Sequence, residues 1–381
     1  ADARSHASDA AHRCPHLPPR PLPPRPRFSD FGRLLPPRPR FADFGRLREA
    51  GGRWAGQWRG QVAGGRATRA WMQQTEEMVD LGYMYARPVH PGTMYKVTRR
   101  TTQRLYLLLP TKMTHEVFGY CLGVALARFG IRMHAVTVLC NHYHIDITDP
   151  YGRLPAFKHL LNLLVAKALN AHWGRFENFF ASDAPSDVEL ATPEEVLDRM
   201  VSTLTNPVKD GLVRSGAEWE GLTSYGMRFG SKMEFERPEK FFDKDGVLPE
   251  KVVVEVSRPD ILPELSDEEL FVLLMRKVKE RERELVAQAK EEGRRFLGMR
   301  RVLRRKHKDS PMSREPRFNL NPRVASRDKW QRIAALQRNK KWLAAYREAW
   351  EKFCAGVREV LFPEGTYLMR VQYGVACAQA P

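Results

Sequence analysis

The chain has 381 residues, enough for two domains or for one domain with long extensions, and 43% of them are hydrophobic, which excludes disorder throughout. Its formal net charge of +18 points to a polyanionic partner: nucleic acid first, an anionic membrane surface second, a merely well-solvated surface as the plain alternative. The five cysteines are scattered without CxxC spacing, which excludes a disulfide framework and a zinc ribbon and fits a reducing cytoplasm.

The first 70 residues contain Arg but no Lys, and they carry a near-perfect tandem repeat. Leu22–Leu34 reads LPPRPRFSDFGRL and Leu35–Leu47 reads LPPRPRFADFGRL. Prolines this dense block helix and sheet interiors, so residues 1–75 are expected to be an extended or disordered low-complexity arm. The arm either tracks phosphates or is leader sequence ahead of the folded part. It has no apolar stretch like that of a signal peptide.

Order is expected to begin near Met94. Tyr95–Arg100 and then Arg104–Leu109 have strand character, beside the turn-forming Pro91-Gly92. A helix follows with Thr114 as its N-cap. Val117, Cys121, Val124, Ala125 and Phe129 recur at helical spacing, and Gly130 ends it. The apolar run Val117–Ala127 is too short to span a bilayer. Ile131–Leu139 and His142–Ile147 read as two strands, and a second helix covers Leu154–Trp173, stopped by Gly174. Thr192-Pro193-Glu194-Glu195 is a capping box with proline at the first helical position. That helix must end by Asn206, because Pro207 pushes its predecessor out of the α region. The order over residues 90–225 predicts an α+β unit with helices on one face of an antiparallel sheet.

Beyond residue 225 a mostly helical, basic extension is expected over 226–381. Lys251–Val256 is a short strand. Ser266-Asp267-Glu268-Glu269 is a second capping box, opening a charged helix toward Lys290. Arg294–Lys308 is strongly basic, and Arg300, Arg301, Arg304 and Arg305 are its candidate nucleic-acid contacts. In the last helical region, 327–360, Trp330, Ile333, Leu336, Trp342, Tyr346, Trp350 and Phe353 form an apolar stripe, read as core rather than as a base-stacking platform.

The chemistry concentrates at His142 and His144. Side chains alternate along a strand, so two histidines one residue apart point to the same face, while Tyr143 points to the other. Two imidazoles so placed can hold one divalent cation; spacing alone is more often incidental, but this pair sits within an apolar strand. Asn206, four residues after Ser202 at a helix end, can supply an amide oxygen suited to Mg²⁺ or Mn²⁺. Its plain alternative is a helix C-cap before proline.

Several stretches in order then resemble one family. AVTVLCNHYHIDI is similar to the signature strand pair of the REP-associated tyrosine transposases and their insertion-sequence relatives, the single-tyrosine HUH superfamily. Pro91–Arg100 resembles their first strand, with Lys96 where a histidine is usual. AKALNAHW, ending at Trp173, resembles the tail of their next helix. Asn206-Pro207-Val208-Lys209-Asp210-Gly211-Leu212-Val213 resembles their Asn-Pro-Val-basic-small-Gly-Leu-Val run, and Glu218-Trp219-Glu220-Gly221 to Ser224 the segment after it. The resemblance covers about residues 90–225 and implies a ferredoxin-like HUH domain with His142, His144 and Asn206 as metal ligands. It also implies nicking and joining of single-stranded or hairpin DNA. Arg99, Arg100 and Lys209 are its candidate nucleic-acid contacts.

In that family a tyrosine four residues before the asparagine attacks the phosphodiester; here the position is Ser202, and no tyrosine occurs between Tyr151 and Tyr225. Three readings are open. Ser202 is a weaker nucleophile needing a strong adjacent base; a tyrosine arrives from elsewhere or from the second subunit of a homodimer; or the covalent step is lost and a DNA-binding domain remains. A metal-dependent hydrolase that uses water, assisted by Asp146 or Asp149, is the remaining alternative.

Overall fold

The computed structural model describes residues 86–182, 186–311, 324–325, 328–357 and 359–379, so the Arg/Pro-rich arm and its tandem repeat lie outside the described residues. The first unit runs β1 (Thr93–Arg100), α1 (Lys112–Phe129), β2 (Arg132–Val138), β3 (His142–Asp149), α2 (Leu154–Trp173) and β4 (Ser186–Leu190). Its strands lie in the order β2-β3-β1-β4 with every neighbouring pair antiparallel, which is the ferredoxin-like βαββαβ arrangement. The strand β4 is absent from the sequence expectation: five residues with one apolar position in two give too short a pattern to register.

Strand alternation builds this unit. Tyr95 and Val97 on β1, with Tyr143, Ile145 and Ile147 on β3, are buried against Val117, Phe118, Phe157, Leu161 and Val165 of α1 and α2. The intervening residues, Lys96, Thr98, His142, His144 and Asp146, therefore face the other side of the sheet. That side is covered by α3 (Pro193–Leu204), which packs Val196, Leu197, Met200 and Leu204 against Ala135 and Leu190. The long helix α5 (Asp267–Glu291) backs α3 through Leu270, Leu274 and Val278.

Three local expectations change. The cap of α1 is Thr111, whose hydroxyl accepts from Thr114 N at 3.2 Å, so the helix begins one turn earlier than expected, directly after Pro110. Arg104–Leu109 is not a strand. Gln103 and Arg104 turn through φ of 50° and 58°, and Leu107, Leu108 and Leu109 are buried in a loop where Leu108 N donates to Cys140 O. Apolar content there reflects burial rather than strand pairing. Finally, α3 stops at Leu204 and a separate turn, α4 (Asn206–Lys209), succeeds it across Thr205. Pro207 has no N–H with which to continue the ladder.

The extension is joined to this core. A hairpin of β5 (Lys232–Glu236) and β6 (Lys251–Glu255) lies on α1, with Phe235, Val252 and Val254 sharing its core. After α5 come α6 (Met299–Leu303), β7 (Val324–Ala325) parallel to β4, α7 (Lys329–Cys354) and α8 (Leu368–Tyr373). The apolar stripe of α7 is half core: Trp342, Tyr346 and Trp350 stack in series over Phe362, whereas Trp330 and Leu336 are exposed. Among the described residues no helix is long and apolar enough to cross a membrane.

Candidate functional site

The register places Thr98 opposite His144 and Arg100 opposite His142, so the two histidines project from one face with ring centroids 4.9 Å apart. Each Nδ1 has a neighbour that orients its ring. Thr98 Oγ1 lies 2.7 Å from His144 Nδ1, and Asn141 Oδ1 lies 2.7 Å from His142 Nδ1. Asn141 Nδ2 donates to Arg104 O, which fixes the amide so that its oxygen accepts the proton of His142 Nδ1. His144 is buried, and desolvation, helped by Lys96, His142 and Lys209, holds its pKa well below 6.5. It is therefore neutral, the form that binds metal.

These residues fit a divalent cation in part. An imidazole whose Nδ1 is held by an outer acceptor presents Nε2 as its ligand atom, which is the usual outer-shell pattern around metal-bound histidine. The turn α4 carries Asn206, buried, and is followed by Asp210, whose Oδ2 is 3.9 Å from His142 Nε2. Among the described residues no three His, Cys, Asp or Glu side chains converge as a metal site. A third protein ligand would have to be an amide such as Asn206.

Next to the histidines on the sheet, Lys96 faces Asp146 across β1 and β3 and reaches α3, where Nζ donates to Ser202 Oγ at 3.2 Å and to Arg199 O at 3.4 Å. Desolvation pushes this lysine down to about 8, against the pull of Asp146. Asp146 is itself buried and pushed up by desolvation, and its two oxygens and the neighbouring Thr203 hydroxyl lack hydrogen-bond geometry among the described residues. Ser202 thus turns toward Lys96. Asp149 has a structural task, its carboxylate accepting from Leu154 N at 2.7 Å at the start of α2.

The expected nucleic-acid contacts separate into two groups. Arg99 faces away from the histidines, donating to Ala181 O at 2.7 Å with its guanidinium over Phe180. Arg100 is on the His142 face, and Lys209 is exposed at the end of α4. The distant cluster is brought to the same rim. Leu297 N and Gly298 N donate to Gly211 O and Leu212 O, both at 2.8 Å, and Val302 packs with Val208 and Cys140. Arg305 consequently lies near enough to Cys140, Tyr106 and their surroundings to lower the pKa of both groups, against a larger upward push from burial. Arg301, Arg304, Arg305 and Lys306 line a groove with Leu297 and Asp309, while Arg300 is exposed beside it. Sequence reasoning passes over Thr98 and Lys96 as site residues, although their alternation on β1 marks them as facing the histidine side once the strand pairing is known.

No protein-family model and no curated protein matches the chain. Among solved structures it is similar to a REP-associated tyrosine transposase bound to a REP hairpin, at 15% identity and a TM-score of 0.32, over 37% of this chain and 81% of that one. A likeness at that score has no bearing on function.

Proposed function

We propose that the chain is a DNA-binding protein of HUH-transposase type that nicks and joins single strands at hairpin-flanked sites, with Mg²⁺ or Mn²⁺ held by His142, His144 and Asn206. The observation that carries this reading is the meeting of two features at the Cys140–Asn141 loop: the oriented histidine pair and the groove of Arg301, Arg304, Arg305 and Lys306. A polyanion lying in the groove would place phosphates beside the histidines. The cation, when bound, would polarise a phosphate oxygen. The arginines would hold the strand in place, since phosphate contacts fix register without reading sequence.

Cleavage of 5′-labelled single-stranded DNA with a terminal hairpin, in Mn²⁺, tests the reading. Strand scission that disappears in His142→Ala and His144→Ala supports it; scission unaffected by both replacements counts against it. A second reading, a DNA binder that has lost the covalent step, is favoured by one observation, the serine at position 202. Tight binding of the same DNA without scission would select it.

A further inference from the structure

We propose that Ser202 and Lys96 form a nucleophile–base pair, in which Ser202 Oγ attacks phosphorus and Lys96 Nζ takes its proton. This rests on the nicking reading above and supplies the adjacent base that a serine in place of tyrosine requires.

The geometry has four parts. Lys96 Nζ and Ser202 Oγ are at hydrogen-bond distance, 3.2 Å. Lysine is an unusual residue to bury, yet Lys96 is only 7% exposed, under α3. Ser202 is half-buried, so the hydroxyl stands on the open side of the pair and the amine behind it. Nζ donates to Ser202 Oγ and to Arg199 O, both on α3, so the helix itself aims the amine. The charged groups that face Lys96 are Asp146 from β3, Arg199 from α3 and Lys209 from α4. The two cations favour the neutral amine, which can accept a proton, and Asp146 favours the ammonium that forms when it does. With its pKa lowered to about 8, the lysine holds a usable neutral fraction near neutral pH.

The step balances without a further reagent. The Oγ–P bond forms as the bridging P–O bond of the strand breaks. The serine proton passes to Nζ, and the leaving oxygen departs with the bonding pair and takes a proton from solvent. In joining, a strand hydroxyl attacks the same phosphorus, Oγ leaves, and the Lys96 ammonium returns the proton. A serine–lysine arrangement of this kind is one of the recognised variants of the activated hydroxyl nucleophile.

The test separates the pair from the DNA reading by using diisopropyl fluorophosphate on the full chain. The reagent phosphorylates an activated hydroxyl with loss of fluoride and needs no DNA. The expected result is one diisopropylphosphoryl group on Ser202, mapped by peptide mass spectrometry. Its rate should rise about tenfold per pH unit up to about 8 and level off above. Lys96→Arg keeps the charge but cannot act as a base, and should slow labelling by about a hundredfold or more. Its circular dichroism and thermal midpoint report whether it folds, and Lys96→Gln serves as a second variant. Absence of label on Ser202, or label undiminished in folded Lys96→Arg, overturns the pair. Label on Ser202 together with a Ser202–DNA adduct on the hairpin strand in Mn²⁺ supports both proposals. Label without adduct or scission supports the pair and overturns the nicking reading.

Discussion

The Thr98 hydroxyl stands 2.7 Å from His144 Nδ1, one strand across the sheet from the histidine it orients. Thr98→Val keeps the shape and removes the partner of a buried ring nitrogen. It should lower stability by about 1–3 kcal/mol and weaken Mn²⁺ binding by about 10–100-fold. Calorimetric titration with Mn²⁺ checks this. Unchanged affinity would detach Thr98 from any metal role.

Salt dependence separates the two groups of arginines. Replacing Arg301, Arg304 and Arg305 by Ala should reduce the log–log salt slope of DNA binding by about 2–3, at about 0.9 per lost phosphate contact. Arg99→Ala should leave the slope alone and lower the thermal midpoint instead, since Arg99 is engaged by Ala181 O and Phe180 on the opposite face. Fluorescence anisotropy over a range of salt concentrations, with melting curves alongside, gives both readouts. An equal slope for the triple variant and the natural chain would reduce the cluster to a solvated surface.

Stability should fall with acid through His134. This residue sits at the irregularity of β2, where Nδ1 donates to Ser257 O at 2.8 Å and Nε2 accepts from Thr148 Oγ1 at 2.7 Å. The neutral ring satisfies both partners, and burial pushes its pKa down to about 4. Because the folded value lies below that of a solvated histidine, the contribution is present above about 6.5 and is lost as pH falls toward about 4. The full effect is about 3 kcal/mol. Asp146, pushed up by burial, acts with the opposite sign but is common to the natural chain and His134→Gln. Urea unfolding of the two from pH 7 to pH 4.5 should therefore show a shallower acid loss in the variant, and parallel curves would exclude this origin.

Two glycines on α1 make room for the β5–β6 hairpin. A Cβ at Gly119 would come within 2.2 Å of the Phe235 ring, and one at Gly123 within 2.5 Å of Val252. Alanine at an ordinary helix position stabilises by about 1 kcal/mol. Here Gly119→Ala should instead destabilise by about 1–3 kcal/mol through overpacking, and Phe235→Leu should relieve part of the loss. A Gly119→Ala protein that melts higher than its parent would rule out this packing.

Legibility in the residues depends on the range of the interaction. Helix ends set by local chemistry are legible, as at Gly130, Gly174 and the capping boxes of Thr192 and Ser266. The shared face of His142 and His144 comes from strand period alone. The break at Thr205 is not legible as a change of direction, because Pro207 marks where a helix stops but not which way the chain then turns. Nor can the nearness of Arg305 to Cys140 be seen across so long an intervening chain, since charge runs carry no address. By its residue type Lys96 is only an exchange of one basic side chain for another; the position of α3 makes it the neighbour of Ser202.

The strap from Leu297 to Gly298 closes on the carbonyls of Gly211 and Leu212, on the far side of the hairpin and α5 in the chain. The histidine-bearing unit and its extension therefore cannot be exchanged as independent cassettes. A recombinant cut near residue 225 would strip Leu285 and Val302 from the apolar cluster that holds Cys140 and Val208 beside the histidines. Whatever lineage produced this chain has had to inherit the two halves together, and any diversification of the DNA it engages would be confined to the exposed arginines of the rim.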